Sequence, residues 1–351
     1  MPTYIRADGI PWSLNSSPLS VSSTLQRFGL DGFLLAIIAM VVLAYFFPSI
    51  GMTEDPISLG ELANYGISVI FLFYGMRLGP EKLKAGLVNW RMHVLVQSVT
   101  FILFPLLAIA IKPLFGHNEE LWLGIFYLAA LPSTVSSSVV MVSIAKGNMP
   151  AAIFNASISS LAGVFITPLW MSLFLTADSG FTNTKDIIMK LMWQILLPVV
   201  IGVLLNKKFG GFAEKNKARL RYFDQTIILI IIYTSFCHSF TEHVFDQYSP
   251  LNVFFLALGM VGLFFFVFFI IWGISKLLRF SAEDRITVLF CGSKKSLVHG
   301  TVMVKVLFPH ASSTGIILLP VMMYHALQLV FASVIARRLA NRNHLVATKE
   351  I

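Results

Sequence analysis

The sequence predicts an all-α polytopic membrane protein with ten transmembrane helices in two inverted five-helix repeats. Three observations support this fold. Hydrophobic residues make up 56% of the 351 residues and charged residues only 12%, whereas about 25% of a soluble domain is charged. The mean hydropathy is +0.79, and apolar runs recur at about the 20-residue length that a helix needs to cross the bilayer. The third observation is an alternation of charge between successive connections.

The apolar runs place the ten segments at residues 33–50, 63–80, 92–113, 121–145, 150–175, 187–205, 225–240, 252–277, 286–307 and 313–336. The first run begins near Phe33 without a preceding basic region or small-residue cleavage site, so we expect no cleaved signal peptide. We expect a cytoplasmic arm at 1–32, a first repeat at 33–175, the start of the second repeat with segment 6 at 176–206, a basic cytoplasmic loop at 207–222, segments 7 to 10 at 223–338 and a cytoplasmic tail at 339–351.

The charges of the connections predict the orientation. Connections after even-numbered segments carry the basic residues Lys82, Lys84, Arg91, Lys146, Lys207, Lys208, Lys215, Lys217, Arg219, Arg221, Lys276, Arg279 and Arg285. Connections after odd-numbered segments carry Glu54, Asp55, Glu61, Glu119, Glu120, Glu242 and Asp246, with Lys112 and Lys185 as basic members. Basic loops stay in the cytoplasm, so we expect both termini there, in the inner or plasma membrane if the protein is bacterial. The net charge of +9 therefore reflects topology and not a nucleic-acid partner.

Segment 4 contains an unusual polar cluster. Pro132 is followed by Ser133, Thr134, Ser136, Ser137 and Ser138. Single serines are tolerated in membrane helices, where they bond a carbonyl one turn back or allow close packing. Five hydroxyls directly after a proline, which removes one amide donor, predict instead that the helix breaks here.

Segment 9 places Lys294 and Lys295 near its middle. A charged side chain at mid-bilayer costs about 2.5–3.5 kcal/mol on insertion scales. Snorkelling to an interface is one alternative, and a loop in place of a span is another. The lysines lie far from both segment ends, and Gly292 offers a point for unwinding, so we expect them to face a hydrated cavity. In a regular helix Gly292, Lys295, Ser296 and His299 share one face. His299 and His325 could face the same cavity. Alternatively, each is a buried neutral histidine that is hydrogen-bonded to a carbonyl.

Interrupted helices at equivalent positions of two opposite halves are typical of inverted-repeat secondary transporters. Helix N-termini at such breaks favour anions, and the ammonium groups add to this. The expected substrate is therefore a small organic anion. We expect the substrate site at Thr134, Ser136, Ser137, Ser138, Asn155, Ser293, Lys294, Lys295, Ser296, His299 and His325, and an ion or polar site at Gln97, Ser159 and Gln328. We expect no cofactor and assign no metal site; coupling to sodium or protons stays open.

The residues resemble the bile acid:sodium symporter family, especially its cotransporter-7-like branch. The resemblance covers most of the chain and is strongest in "LPSTVSSSVV" to "FITPLW", in "CGSKKS" and in "YHALQ". It implies a core domain (segments 3–5 and 8–10), a panel domain (segments 1, 2, 6 and 7), crossing of segments 4 and 9, and alternating access between core and panel. An Ala145-Lys146-Gly147 turn and the Tyr324–His325 pair also match this family.

The departures from the family concern the sodium sites. Phe290 and Cys291 occupy the neighbourhood in which the family carries a glutamate, and Val139 occupies the position of the family's segment 4 asparagine. Lys294 and Lys295 stand for a glutamine and an asparagine. An ammonium repels a nearby cation, so we hypothesise that a lysine replaces at least one sodium ion.

The sequence also allows other functions. A regulatory membrane protein that affects calcium or ion homeostasis without solute flux is the main alternative. A channel suits two interrupted helices less well than a carrier. An enzyme is disfavoured because no HExxH motif occurs and segments 4, 5 and 9 contain no acidic residue. Cys237 and Cys291 both lie in apolar segments, which argues against a disulfide or a cysteine metal site.

Overall fold

A computed structural model of the protein describes residues 32–53, 58–77, 89–116, 118–174, 192–308 and 312–347, and no strand occurs among them. The α-helices are α1 (Gly32–Phe46), α2 (Pro48–Met52), α3 (Leu59–Arg77), α4 (Trp90–Ser98), α5 (Phe104–Ala110), α6 (Glu119–Ala130), α7 (Ser136–Ile144), α8 (Met149–Ser172), α9 (Leu197–Lys215), α10 (Lys217–Thr241), α11 (Pro250–Leu277), α12 (Ala282–Gly292), α13 (Leu297–Leu307) and α14 (Thr314–Ala347). A π-helical turn, Val99–Leu103, joins α4 to α5, and a second, Met192–Leu196, precedes α9. Short 3-10 turns lie at Lys112–Phe115 and Val244–Gln247.

Several helices have the length and apolar composition of membrane spans. Within the described residues, seven qualify: Leu59–Arg77, Trp90–Ala110, Met149–Ser172, Trp193–Lys215, Lys217–Thr241, Pro250–Leu277 and Thr314–Asn341. Large aromatic side chains on α11, including Phe254, Phe266 and Phe269, are exposed on its surface, as suits a helix that faces lipid. The chain is therefore an integral multi-pass membrane protein, in agreement with the sequence analysis.

Two further apolar segments are interrupted. α6 ends at Ala130 and α7 begins at Ser136, with Pro132 between them. α12 ends at Gly292 and α13 begins at Leu297. Ser296 caps α13, because its hydroxyl accepts the His299 backbone N–H at 3.3 Å. Both interruptions fall in the stretches that the sequence predicts to be broken.

The helices pack in two groups. α1, α2, α3, α9 and α10 contact one another, while α4 to α8 and α11 to α14 form a second set of mutual contacts. α10 also packs against α13 and α14, so it lies between the two groups.

α3 and α9 approach each other at two glycines. A Cβ atom on Gly75 would lie 2.2 Å from the Val199 carbonyl oxygen, and one on Gly202 would lie 2.2 Å from the Leu72 carbonyl oxygen. Small residues let membrane helices come this close. The contact makes α3 and α9 a tightly joined pair.

Residues 207–222 differ from the expected loop. α9 continues to Lys215 and α10 begins at Lys217, with Asn216 as the junction. Lys, Glu, Ala and Arg favour helices, and the basic side chains of this stretch are exposed, so the high charge does not end the helix. The expected arm before Gly32, residues 175–191 and residues 348–351 lie outside the described residues.

Candidate functional site

The two interruptions lie against each other and satisfy each other's backbone. The Ser296 N–H donates to the Pro132 carbonyl at 2.9 Å. In the opposite direction the Ser138 hydroxyl donates to the Phe290 carbonyl at 3.0 Å, and the Ser133 hydroxyl donates to the Cys291 carbonyl. The broken segments therefore cross at their breaks, where the serines of one supply the donors that the other lacks.

The last carbonyls of α6 also find side-chain donors. The Ala130 carbonyl accepts the Thr167 hydroxyl at 2.8 Å. The Ser133 N–H, one turn after Ala129, donates to the Ser159 hydroxyl at 2.9 Å. The Ala129 carbonyl is therefore left without its helical partner, and the Leu131 carbonyl follows the helix end.

The Lys295 side chain supplies the donors that these carbonyls lack. Its Nζ donates to the carbonyls of Ala129 at 2.6 Å, Thr100 at 2.7 Å and Leu131 at 2.8 Å. An ammonium has three N–H donors, so each has an acceptor. Nζ also lies 4.1 Å from the centre of the Phe104 ring, a cation–π distance. Two of the acceptors end α6, where the helix dipole favours a positive charge.

The Thr100 carbonyl is available because of the π-helical turn. The Phe104 N–H donates to Val99 instead of to Thr100. In the same wider register the donor for Thr100 would be residue 105, which is a proline and has no N–H. Pro105 likewise leaves Phe101 without its helical donor, and the Trp170 indole N–H fills that place at 2.8 Å. Pro105 and the turn therefore create two acceptors for side chains of other helices.

Lys294 is equally buried but has fewer partners. Its Nζ donates to the Ser137 carbonyl at 2.9 Å and lies 5.8 Å from the Phe290 ring centre. The side chains of Lys294 and Lys295 are 0% and 1% exposed. This differs from the expected hydrated cavity: protein carbonyls accept all three N–H donors of the Lys295 ammonium and one donor of the Lys294 ammonium.

α14 holds the unwound stretch between α12 and α13. The Gln328 side chain accepts the Lys295 backbone N–H at 2.8 Å and donates to the Lys295 carbonyl at 2.8 Å. The Tyr324 hydroxyl donates to the Ser293 carbonyl at 2.7 Å. A residue outside regular helix thus has both backbone groups paired, as a buried backbone requires.

The two histidines occupy different places. His299 is buried, its Nδ1 lies 3.0 Å from the Ser296 hydroxyl, and its ring centre lies 5.3 Å from that of Tyr74 in α3. His325 is partly buried and its Nδ1 lies 3.0 Å from Gln328 Nε2. His299 therefore reaches across to the first group of helices, whereas His325 stays beside Gln328.

The remaining predicted residues divide between the crossing and its surroundings. Thr134, Ser138, Ser159, Ser293 and Ser296 are buried at or beside the breaks. The Gln97 amide donates to the Asn155 carbonyl at 3.3 Å and to its Oδ1 at 3.4 Å, next to the crossing. Ser136 is exposed, and the Ser137 hydroxyl donates to Thr134 at 3.4 Å. No group of three or more metal-binding side chains occurs in the described part of the chain.

Sequence reasoning missed the partners of Lys295 that are backbone atoms. The carbonyls of Thr100 and Ala129 were not singled out, and neither were the Phe104 ring beside Nζ and the Trp170 indole that donates to Phe101. Pro105, a proline within a predicted membrane segment, was the available signal, because it frees the carbonyl groups of the preceding turn.

Comparison with known proteins identifies the family. The family model described as "SBF-like CPA transporter family" matches residues 31–341. The chain belongs to this family. This transporter is 41% identical to PA2026 of Pseudomonas aeruginosa over 318 residues, which cover 90% of this chain and 95% of that protein. It is 36% identical to YfeH of Escherichia coli over 313 residues, covering 88% and 92% of the two chains.

A vertebrate relative carries a descriptive name. The transporter is 30% identical to the "Sodium/bile acid cotransporter 7-B" of Xenopus laevis over 319 residues, which cover 89% of this chain and 92% of that protein. These matches confirm the resemblance found in the sequence. The protein is therefore a membrane transporter of the sodium/bile acid symporter type and not an enzyme.

Proposed function

We propose that this transporter carries a small organic anion across the membrane by alternating access. In this proposal ten membrane segments form two inverted five-helix repeats, with α6–α7 and α12–α13 as the fourth and ninth segments and both termini in the cytoplasm. The helices α4 to α8 and α11 to α14 form the core, and α1, α2, α3, α9 and α10 form the panel. The division of contacts between these two groups supports this assignment.

One observation carries the proposal: the Lys295 ammonium is held by three carbonyls at the crossing of the broken segments. Hard cations take oxygen ligands of this kind, so the ammonium stands where a bound sodium ion would find its oxygens. A second positive charge about 4 Å away would be repelled by roughly 4 kcal/mol at an effective dielectric constant of 20. We infer that Lys295 replaces a coupling sodium ion as a fixed positive charge.

The fixed charges also favour an anionic substrate. Lys294 and Lys295 place two ammonium groups at the crossing. The residues just before Gly292, Phe290 and Cys291, are not acidic, so no carboxylate there offsets these charges. α7 and α13 begin at the two breaks, and the positive dipole ends of their N-termini also favour an anion. A carboxylate, a sulfate conjugate or a phosphate-bearing molecule would be attracted by this field.

The test is uptake of radiolabelled carboxylates into proteoliposomes that contain the purified protein. We expect saturable uptake that is the same with sodium or choline outside, and that falls at least tenfold in Lys294→Ala and Lys295→Ala. Lys208→Ala, which removes an exposed basic residue of α9, serves as the control and should transport normally. Flux that requires a sodium gradient would overturn the role of Lys295, and the absence of flux for all organic anions would overturn the transport proposal.

A further inference from the structure

Arg77 lies at the C-terminal end of α3 with unused hydrogen-bond donors. Its Nε and Nη2 atoms are buried and have no hydrogen-bond partner within the described residues. These two nitrogens form one edge of the guanidinium group, and two parallel N–H bonds from this edge match the two oxygens of a carboxylate. Buried polar groups without partners are rare in native proteins, so this edge calls for a ligand group.

Asp224 of α10 supplies the complementary group. Its side chain is 8% exposed, and its Oδ1 atom is buried without a hydrogen-bond partner in the described part of the chain. Arg77 and Asp224 interact electrostatically with each other and with the Tyr74 hydroxyl. The carboxylate thus balances the charge of Arg77 while its Oδ1 atom stays available to accept a hydrogen bond.

The position of this pair connects it to the crossing. Tyr74 precedes Arg77 by three residues, which places both on the same side of α3. The Tyr74 ring centre lies 5.3 Å from that of His299 in α13, and Phe71 on the preceding turn lies 6.1 Å from it. This side of α3 therefore faces α13, the core helix that begins two residues after Lys295. Because carbonyls take all three N–H donors of Lys295, a substrate on this side of α3 would find its cation in Arg77.

We propose that Arg77 and Asp224 bind a small 2-hydroxycarboxylate as the transported substrate. The Nε and Nη2 edge of Arg77 binds the carboxylate, and Asp224 Oδ1 accepts the hydrogen bond of the adjacent hydroxyl. The substrate hydroxyl is required because a carboxylate without a neighbouring hydrogen-bond donor would be repelled by the Asp224 carboxylate. This inference rests on the proposed function and specifies the class of substrate that passes between core and panel.

Lactate and propionate, which differ by that hydroxyl, are the probes. Binding is measured as stabilisation of the purified protein in a thermal-unfolding titration. We expect half-maximal stabilisation at a lactate concentration at least fivefold lower than that for propionate. Arg77→Gln and Arg77→Lys should weaken lactate binding at least tenfold, because neither retains the two-nitrogen edge. Asp224→Ala should remove the preference for lactate while propionate binding is kept or improved. Arg219→Gln, which removes an exposed arginine of α10, should bind as the parent does.

Two outcomes would overturn the inference: lactate binding that survives unchanged in Arg77→Lys, and a lactate preference that survives in Asp224→Ala. Arg77→Lys keeps the charge and the length of the side chain, so it provides the result if Arg77→Gln fails to fold. Flux assays separate this inference from the proposed function. Organic-anion uptake with an unchanged KM in Arg77→Lys would reject the Arg77 site alone, whereas no uptake by the parent would reject the transport proposal.

Discussion

The Lys295 ammonium and the Thr100 carbonyl lie 2.7 Å apart, although 195 residues separate them in the chain. This bond ties the break between α12 and α13 to the π-helical turn between α4 and α5. Because two more carbonyls complete the set around Nζ, the positive charge is fixed inside one group of helices. A charge held in this way is part of the protein and does not come from an ion in solution.

Removing the side chain of Lys295 should turn the carbonyl set into a cation site. Lys295→Ala leaves three buried carbonyls without a donor, at roughly 1–3 kcal/mol each, partly offset because no charge is buried. We expect a net loss of about 2–4 kcal/mol of unfolding free energy in choline chloride. Sodium chloride should restore part of this loss, because sodium can enter the space and bind the oxygens. Thermal unfolding in the two salts measures the difference.

Lys295→Met is the matched control for this experiment. Its side chain fills the same space without an N–H donor, so it should lose stability in both salts equally. Stabilisation of the unaltered protein by sodium would contradict the role assigned to Lys295. An Ala variant that does not distinguish sodium from choline would contradict it as well.

Gln328 should matter for stability through the backbone of Lys295. Gln328→Leu leaves the Lys295 N–H and carbonyl unpaired in the interior, and two such groups cost about 2–4 kcal/mol together. We expect unfolding in detergent at a correspondingly lower temperature. Gln247→Leu changes an exposed glutamine and should leave the unfolding temperature nearly unchanged. Equal unfolding temperatures for the two variants would show that the Gln328 bonds contribute nothing.

The sequence predicted the breaks because their causes are local. Pro132 removes a donor, and a charged pair after Gly292 does not fit an unbroken apolar helix. The surroundings of Lys295 could not be predicted in the same way. Its acceptors are backbone carbonyls 164 to 195 residues away, and carbonyls carry no signature in a sequence. For this reason water was the expected partner of the ammonium, and protein oxygens are the partner found.

The burial of the Arg77–Asp224 pair is a second feature that could not be predicted from the sequence. Arg77 ends an apolar segment and Asp224 begins another, where charged residues are ordinary boundary markers. α3 packs against α10, where Asp224 and the Nε and Nη2 atoms of Arg77 are buried, and the sequence does not reveal this contact. Residues 207–222 are a similar case. Their many charges predicted a loop between two segments, whereas the backbone is helical on both sides of Asn216.

Alanine at the two close glycines should separate α3 from α9. Gly75→Ala and Gly202→Ala each place a Cβ atom 2.2 Å from a carbonyl oxygen of the facing helix. Overpacking of this kind costs about 1–3 kcal/mol. Gly259→Ala is the matched control, because a Cβ atom there has nothing within 4 Å, and alanine favours the helix by up to about 1 kcal/mol. Thermal unfolding should rank Gly259→Ala at or above the parent, with both other variants below it.

The contact between Tyr74 and His299 tests the proposed movement of core against panel. The two rings belong to α3 and α13, one from each group, and their centres lie 5.3 Å apart. Tyr74→Cys and His299→Cys, combined in a protein whose Cys237 and Cys291 are replaced by serine, would allow these helices to be joined by a short thiol-reactive cross-linker. If substrate passage requires α13 to move away from α3, the joined protein should lose at least nine-tenths of its flux. If the cross-linker is cleavable, reduction should restore the flux. Recovery would show that the cross-link blocked a movement and did not damage the protein. Each single-cysteine variant should have the same flux before and after treatment with the reagent, because one thiol cannot join two helices. Undiminished transport by the joined protein would place the moving boundary elsewhere than between α3 and α13.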